Sequence, residues 1–298
     1  MRIRSILNKL IVIGLISITI CFFLIMRLFS DASSTKVSSR SLHSTLSQPK
    51  LAVIVPYRDR FTELLLFVPH LSRFLHKQNI PFTINVINQN DSYRFNRASL
   101  INAGYSLVKD NCDYIAIHDV DLLPLNPNLE YRYPEHGPFH VSSPNLHPKY
   151  HYEKFVGGIL LIKNDHFELV NGLSNKYWGW GLEDDEFYLR LKEANLQITR
   201  PTNIATGIED TFLHLHDPAV RKRDYAKIFN QREITRKRDR ETGLHDVKFE
   251  LTSKTKMTIE DFACDIYSVK LNCDYKLTPW CDFSLVNKNK PKNVKPKI

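Results

Sequence analysis

The stretch Leu51-Ala-Val-Ile-Val-Pro-Tyr-Arg-Asp-Arg60 decides the fold, because an apolar run leads directly into polar and charged side chains. Five consecutive apolar residues predict a short buried strand that ends at Pro56. Two later runs have the same character, Thr83-Ile-Asn-Val-Ile87 and Tyr114-Ile-Ala-Ile117, and each is again followed by polar residues. The chain therefore starts its folded part with buried strands that carry chemistry at their carboxyl ends.

Segments with helical spacing alternate with these strands, over Phe61–His76, Asn96–Lys109 and Glu183–Ala194, and Gly158–Ile162 predicts a fourth strand. Such alternation is typical of an α/β protein with a mostly parallel sheet and helices on both faces. Ligands of these sheets bind outside the carboxyl ends of the strands. We therefore expect one site to be built from the segments that follow the first three strands: Tyr57–Arg60, Asn88–Asp91 and His118–Asp121.

An uncharged run from Leu10 to Met26 lies near the start of the 298-residue chain, and Arg2, Arg4 and Lys9 precede it. In a helix these residues would span about 26 Å, which is enough for a thin bilayer. The positive-inside rule then places the N-terminus in the cytosol and the rest of the chain in a lumen. A cleaved signal peptide is the alternative interpretation.

This topology predicts a cytosolic tail over 1–9, a transmembrane signal-anchor over 10–28, a stem over 29–50, one catalytic domain over 51–281 and a basic tail over 282–298. The formal net charge of +9 does not indicate a nucleic-acid partner in a lumenal chain, and a nucleotide-diphosphate donor or an anionic product explains it better. An oxidising lumen permits disulfides. We favour the pair Cys273 and Cys281, although spacing alone leaves other connectivities open.

The segment Trp178-Gly-Trp-Gly-Leu-Glu-Asp-Asp-Glu186 carries the strongest functional signal. Indoles offer flat apolar faces on which sugar rings can stack, glycines allow a tight backbone, and carboxylates accept hydrogen bonds or a proton. An acidic first helical turn would explain the acids alone but not the paired Trp-Gly units. Successive helical acids point about 100° apart, so only one or two of the four can reach a substrate.

Two pairs of side chains have the spacing of a metal site. Asp119-Val-Asp121 places two carboxylates on one side of an extended chain, and His214-Leu-His216 does the same for two imidazoles. One carboxylate with two imidazoles makes a three-ligand site with open positions. The residues themselves leave Mn²⁺, Zn²⁺ and Fe²⁺ open.

Five segments resemble, in order and spacing, the β-1,4-galactosyltransferase family: Val55–Arg60, Phe95–Ala98, His118–Asp121, Gly157–Gly158 and Trp178–Glu186. The likeness covers about 51–281, and His214 points to the xylose-specific branch, because the lactose-type relatives carry Met at this metal position. The resemblance implies a GT-A glycosyltransferase fold, which is a Rossmann-like mixed sheet, on an N-terminal transmembrane anchor. It also implies a single-pass type II protein of the Golgi membrane with a lumenal catalytic domain.

The resemblance further implies Mn²⁺ as cofactor, held by Asp121, His214 and His216, and UDP-galactose as donor. It places donor contacts at Pro56, Tyr57, Arg58, Asp59, Arg60, Phe95, Asn96, Arg97, Val120, Asp121, Tyr150, Trp180, His214, His216 and Arg223. It places acceptor contacts at Leu182, Glu183, Asp184 and Asp185, with Asp184 as catalytic base. The implied reaction is the inverting transfer of galactose to the 4-hydroxyl of O-linked β-xylose on proteoglycan core proteins.

Three other functions stay open at this point. A zinc hydrolase could use the same three metal ligands with Asp184 as base. A non-catalytic, membrane-anchored protein could bind sugars with its tryptophans alone. A galactosyltransferase could accept GlcNAc in place of xylose, and we expect Leu182 and Tyr177 to supply the bulk that excludes the larger sugar.

Overall fold

The computed structural model describes residues 48–204 and 208–288. Its strands are β1 (Leu51–Tyr57), β2 (Phe82–Gln89), β3 (Tyr114–His118), β4 (Leu122–Pro124), β5 (Phe139–His140), β6 (Ile159–Lys163), β7 (Phe212–His214), β8 (Phe249–Ile259) and β9 (Phe262–Leu271). Its α-helices are α1 (Phe61–Lys77), α2 (Arg97–Val108), α3 (Asn164–Leu169), α4 (Glu183–Glu193), α5 (Ile208–Thr211), α6 (Gln231–Ile234) and α7 (Ser284–Lys288).

One mixed sheet organises the described part of the chain, in the strand order β5-β6-β3-β1-β2-β9-β8. The three central pairings, β1 with β2, β1 with β3 and β2 with β9, are parallel. The three outer pairings, β3 with β6, β5 with β6 and β8 with β9, are antiparallel. The prediction of a mostly parallel sheet was therefore right only for the centre, where helices connect β1 to β2 and β2 to β3. At the edges, β5, β6 and β8 pair antiparallel with their neighbours. A separate antiparallel pair joins β4 to β7.

The first strand runs farther than its sequence predicted, since β1 continues through Pro56 to Tyr57. Proline lacks a backbone N–H, so it interrupts a strand that is paired on both sides. Pairing of β1 with β3 ends at Ile54, whereas pairing with β2 continues to Tyr57. At Pro56, β1 is thus paired with β2 but no longer with β3, so the missing N–H does not interrupt the strand.

Alternation along β1 feeds two apolar cores, one on each face of the sheet. Leu51, Val53 and Val55 pack in the core that also holds the buried face of α1. Ala52 and Ile54 pack in the other core, with α2 and the apolar face of α4. Each fully buried aliphatic side chain of these cores stabilises the fold by about 1.5–3 kcal/mol. A strand buried on both faces explains the unbroken apolar run that begins the domain.

The long hairpin of β8 and β9 was not predicted. β8 is rich in Thr, Ser and Lys and is exposed along most of its length, so it lacks the apolar alternation that marks a half-buried strand. Only β9, which pairs with β2, carries buried positions at intervals. Lysines on an exposed edge strand discourage pairing with other chains.

The C-terminal part of the domain is held by the favoured disulfide and by a buried indole. Cys273 and Cys281 are joined, with their Cα atoms 5.9 Å apart. Trp280, inside this loop, is 1 % exposed, and its Nε1 donates to the carbonyl oxygen of Lys176 at 2.8 Å. The loop is thereby attached to the segment that leads into Trp178–Glu186.

The predicted cytosolic tail and transmembrane anchor lie outside the described residues, as do the stem up to residue 47 and positions 289–298. The compact unit that contains the predicted catalytic domain begins at Gln48. Among the described helices, none combines the length and the apolar character needed to cross a bilayer.

Candidate active site

A cavity of about 610 Å³ opens at the carboxyl end of β1, beside the segment after β3 and the first turn of α4. It brings together most of the predicted site residues, namely Pro56, Arg58, Asp59, Arg60, Phe95, Arg97, Val120, Asp121, Tyr150, Trp180, Leu182, Glu183, Asp184, Asp185, His214, His216 and Arg223. Their positions span 168 residues of sequence, from Pro56 to Arg223, so the fold is what makes them neighbours. The expected site therefore contains residues of the segments after the first and third strands, Tyr57–Arg60 and His118–Asp121. The segment after the second strand, Asn88–Asp91, does not line the cavity, because Asp91 is used to bond Arg58 and the backbone N–H of Leu271.

Two residues of the predicted donor site do not line the cavity. Tyr57 packs against the core on the α1 side, because neighbouring residues of a strand face opposite ways. Asn96 is fully buried, and its side chain accepts a hydrogen bond from the backbone N–H of Ser99 at 2.9 Å. It also donates to the carbonyl oxygen of Asn175 at 3.0 Å. Asn96 is thus the N-cap of α2, a role for which Asn is favoured.

One wall of the cavity carries the predicted metal ligands. Asp121 Oδ2 lies 3.6 Å from Nδ1 of His216, and that nitrogen is buried without a hydrogen-bond partner among the described residues. The ring of His214 stacks beside that of His216, with centroids 5.8 Å apart and planes 17° apart. The pairing of β4 with β7 produces this approach, since it sets Leu122 opposite His214.

The electrostatics of this wall favour neutral imidazoles. Burial, with the cations of Arg223 and Arg60 nearby, lowers the pKa of His216 to about 4. Burial, followed by the Arg223 charge, also lowers the pKa of His214. Burial raises the pKa of Asp121 to about 6, and the charge of Asp119 raises it further. Neutral imidazoles are the form that binds a metal.

The wall fits a divalent cation in the chemistry of its donors. It combines one carboxylate with two neutral imidazoles, and an unpartnered buried nitrogen faces the carboxylate. As the described side chains stand, no three His, Cys, Asp or Glu residues are grouped tightly enough to surround an ion.

The opposite wall is the first turn of α4. Leu182, at its N-cap, has φ 77°, which is unusual for a branched side chain, and no side-chain cap is present. Glu183, Asp184 and Asp185 all reach the cavity, where the positive end of the helix favours them. The fourth acid, Glu186, is 3 % exposed and turns away to Arg190, with Nε and Oε2 2.8 Å apart. Three of the four acids therefore line the cavity, whereas helix phase predicted that one or two would reach a substrate.

Asp184 has the environment of a base. Burial raises the pKa of Asp184 to about 8, and the neighbouring charges of Glu183 and Asp185 add to the effect. A Cβ atom added to Gly157 would lie 2.9 Å from Oδ2 of Asp184, so any side chain at position 157 would displace this carboxylate. Among the described residues Asp184 forms no salt bridge, whereas Glu183 lies 3.8 Å from Arg97.

Aromatic rings line the floor between the two walls. Trp180 is 39 % exposed, with Tyr225 edge-on at 4.9 Å and the guanidinium of Arg223 over its ring at 4.9 Å. The same guanidinium lies 5.9 Å from the ring of Tyr150. Trp178, in contrast, is 2 % exposed and belongs to the core. Only one of the two indoles therefore offers a face to a ligand.

Sequence reasoning missed three aromatic residues of the segment 147–155. Tyr152 lines the cavity beside Asp185. Burial raises the pKa of Asp185, and the hydrogen bond from Tyr152 offsets part of that rise. Phe155 lies against the same rim, and His147 packs with its ring 6.1 Å from that of His214. The only signal was the density of rings in His147-Pro-Lys-Tyr-His-Tyr152.

Comparisons with known proteins agree with this geometry. A family model described as the N-terminal region of glycosyl transferase group 7 matches residues 32–134, and one described as the N-terminal domain of galactosyltransferase matches residues 137–216. A Drosophila melanogaster protein, beta-1,4-galactosyltransferase 7, is 57% identical over 236 residues, which are 79% of this chain and 73% of the relative. A Caenorhabditis elegans xylosylprotein 4-beta-galactosyltransferase is 47% identical over 286 residues, 92% of this chain and 98% of the relative.

Solved structures give the same answer. The catalytic domain of the Drosophila enzyme in complex with xylobiose superposes with a TM-score of 0.78 at 56% identity, covering 78% of this chain and 99% of that one. A mutant of that enzyme, in complex with manganese, UDP-Gal and xylobiose, matches with the same score over 79% of this chain. The mixed sheet is therefore that of a GT-A-like glycosyltransferase, and the chain belongs to the β-1,4-galactosyltransferase family.

Proposed function

We propose that this chain transfers galactose from UDP-galactose to the 4-hydroxyl of a β-linked xylose, with Mn²⁺ as cofactor and inversion at the anomeric carbon. The observation that carries the proposal is that a single cavity is lined both by the acids of α4 and by Asp121, His214 and His216. Two relatives named beta-1,4-galactosyltransferase 7 are 57% and 55% identical to the chain, and one named xylosylprotein 4-beta-galactosyltransferase is 47% identical. A solved relative holds manganese, UDP-Gal and xylobiose together.

In the proposed reaction, the acceptor loses its proton to one side of the cavity, and negative charge develops on the diphosphate at the other side. The acceptor hydroxyl attacks the anomeric carbon from the side of α4, and Asp184 takes its proton as the new bond forms. The bond between the sugar and the diphosphate breaks on the opposite side, so configuration inverts in a single displacement. A bound Mn²⁺ would supply positive charge at the departing diphosphate. Arg223 would add charge-assisted hydrogen bonds there, since a guanidinium matches phosphate geometry.

The xylose preference follows from the rim of the acceptor side. Leu182 and Tyr152 project at this rim, at 37 % and 43 % exposure, beside the acids of α4. Xylose has no C5 hydroxymethyl group, so it fits against such side chains where a hexose would clash. Tyr177, the other candidate for this bulk, is 4 % exposed, and its hydroxyl donates to Thr235, so it does not reach the cavity.

The physiological acceptor and the cellular place are further parts of the proposal. The acceptor is O-linked xylose on proteoglycan core proteins, as expected for the xylose-specific branch. The enzyme is held in the Golgi membrane by residues 10–28, in type II orientation, with its catalytic domain in the lumen. The uncharged run Leu10–Met26 and the preceding Arg2, Arg4 and Lys9 support this orientation.

The first prediction concerns the metal. Chelation with EDTA should abolish galactose transfer, and among divalent cations Mn²⁺ should restore it best. His216→Ala removes one of three ligands and should raise the Mn²⁺ concentration for half-maximal rate by at least about tenfold. His166→Ala, which changes a histidine outside the cavity, should behave as wild type. Full activity in exhaustively chelated protein would contradict the assignment.

The second prediction concerns the base. Asp184→Asn keeps the shape of the side chain but cannot accept a proton, so kcat should fall by about 10²–10⁴ while UDP affinity stays near normal. Glu193→Gln changes a carboxylate at the far end of α4, where it pairs with Arg238 and Arg240, and should leave kcat unchanged. A wild-type kcat in Asp184→Asn would remove Asp184 from this role.

The raised pKa of Asp184 also sets the pH dependence. The base must be ionised to act, and a pKa of about 8 means that its ionised fraction grows up to that pH. At saturating donor, kcat/KM for a xyloside should therefore rise with pH between about 5.5 and 8, and Asp184→Asn should lose this rise. A profile that is already flat above about pH 5 would show that the carboxyl titrates in its ordinary range.

The third prediction concerns the acceptor. Wild-type protein should transfer galactose to β-xylosides and little or none to β-GlcNAc, as measured by kcat/KM. Leu182→Gly should reduce this discrimination, and glycine adopts the local φ of 77° without strain, so the fold should tolerate it. Leu189→Ala, an exposed leucine of α4 outside the cavity lining, is the matched control. Comparable kcat/KM for the two acceptors in wild-type protein would overturn the xylose preference and leave galactosyl transfer intact.

The fourth prediction concerns topology. In sealed vesicles from expressing cells, added protease should leave the catalytic domain intact, and detergent should expose it to digestion. Digestion without detergent would place the domain on the cytosolic side and contradict the type II orientation.

A further inference from the structure

Six of the seven residues of the segment 221–227 line the cavity, namely Arg221, Lys222, Arg223, Asp224, Tyr225 and Lys227, yet the segment has no regular secondary structure. A segment of this kind needs tertiary contacts to hold a fixed place, because it has no helical or sheet hydrogen bonds. Two ion pairs supply them. One lies just before Arg223 in the sequence and the other just after it.

The first ion pair ties the segment to the start of α1. Arg221 Nε donates to Glu63 Oε1 at 2.9 Å, and its Nη2 donates to Glu63 Oε2 at 3.1 Å. Glu63 is 6 % exposed and accepts a further bond from Arg60 at 3.1 Å. The two-point contact with a planar guanidinium fixes orientation as well as distance.

The second ion pair ties the segment to a buried arginine outside the cavity lining. Arg94 is 4 % exposed, and its Nε donates to Asp224 Oδ2 at 2.6 Å. Its Nη2 donates to the carbonyl oxygen of Ala226 at 2.7 Å, and its Nη1 donates to Trp280 O and to Gln231 Oε1. One guanidinium thus joins the segment to the disulfide loop that contains Trp280.

The same arginine explains the first glycine of the Trp-Gly-Trp-Gly motif. A Cβ on Gly179 would lie 2.2 Å from Nη2 of Arg94 and 3.0 Å from Oδ2 of Asp224, and the glycine has φ 82°. Only glycine leaves room for this ion pair against the backbone. The next residue, Trp180, donates its N–H to the carbonyl oxygen of Asp224 at 2.8 Å, and Lys227 Nζ donates to the carbonyl oxygen of Trp180 at 3.1 Å.

We propose that Glu63 and Arg94 are positioning residues for the donor: they anchor the segment 221–227 on both sides of Arg223, so that its guanidinium is held over Trp180 toward the diphosphate. Neither residue has to touch the substrate. Their effect passes through Arg223, and the inference rests on the proposed use of a UDP-sugar. It adds to that proposal the reason why an irregular segment can present a cation at a fixed place.

The test is calorimetric titration of UDP into the full chain in buffer that contains Mn²⁺, so that no acceptor is needed. Asp224→Asn and Glu63→Gln each keep side-chain shape and remove the charge of one anchor. Each should weaken UDP binding by about tenfold, within the range of coupling energies between contacting residues. Arg223→Ala should weaken it by about tenfold to a hundredfold, the value of charged hydrogen bonds.

The decisive readout is the same titration in the Arg223→Ala background. If the anchors act by placing Arg223, adding Asp224→Asn or Glu63→Gln to Arg223→Ala should change UDP affinity by less than about twofold. If the fold-changes in UDP affinity of the two single variants multiply in the double variant, the inference is overturned. Arg94→Lys keeps the charge and loses the planar fork, so it should also weaken UDP binding when Arg223 is present and change it by less than about twofold in the Arg223→Ala background.

Glu186→Gln is the matched control for loss of stability. Glu186 is as buried as Glu63 and also pairs with two arginines, Arg190 and Arg238, but among the described residues none of its ion pairs reaches segment 221–227. This variant should lower Tm and leave UDP affinity unchanged. Unchanged UDP affinity in both anchor variants, with wild-type protein binding UDP, would overturn this inference alone. Wild-type protein that binds no UDP would overturn the proposed function with it.

Discussion

The guanidinium of Arg97 is the interaction on which both walls of the site depend. It lies 2.7 Å from Asp119, which follows β3, and 3.8 Å from Glu183, which begins α4. Burial by itself lowers the pKa of Arg97, but these two carboxylates outweigh burial and raise it, so the group remains a cation. Without that charge, the acids after β3 and the acids of α4 would repel each other across a poorly solvated cavity. One buried cation therefore lets a metal-binding wall and a basic carboxylate coexist at short range.

Ion pairs do different work in different parts of this domain. Glu186 and Arg190 join two stretches of backbone behind α4, where they keep the helix seated against the core. Glu63 and Arg94 instead reach a segment that has no regular structure of its own. Buried ion pairs are weak evidence for net stability, since the removal of charges from water offsets much of their attraction. What they do provide is a defined geometry, and that is what a site built from loops requires.

Much of the architecture could be predicted, because local pattern and tertiary environment agree there. The boundaries expected for α1, α2 and α4 lie within one or two residues of those observed, as apolar periodicity and capping act over short range. The exposed strand β8 carries no such apolar pattern, so its local sequence does not predict a strand. The antiparallel pairings were implied only by the family resemblance and not by the strand patterns, since strand direction depends on where the chain re-enters the sheet and not on its composition.

By itself the sequence determined which side chains can do chemistry: Asp121, His214 and His216 as candidate metal ligands, and the acids of α4. The order of these residues also indicated the family. Only the tertiary structure decided which of these side chains share the cavity. It packed Tyr57 against one core, buried Trp178 in the other, used Asn96 as a helix cap, and added Tyr152 and the anchors of segment 221–227. The physical reason is that residue type sets what a side chain can bind. Whether it faces a ligand depends on strand parity, on helix phase and on contacts with residues more than a hundred positions away in the chain.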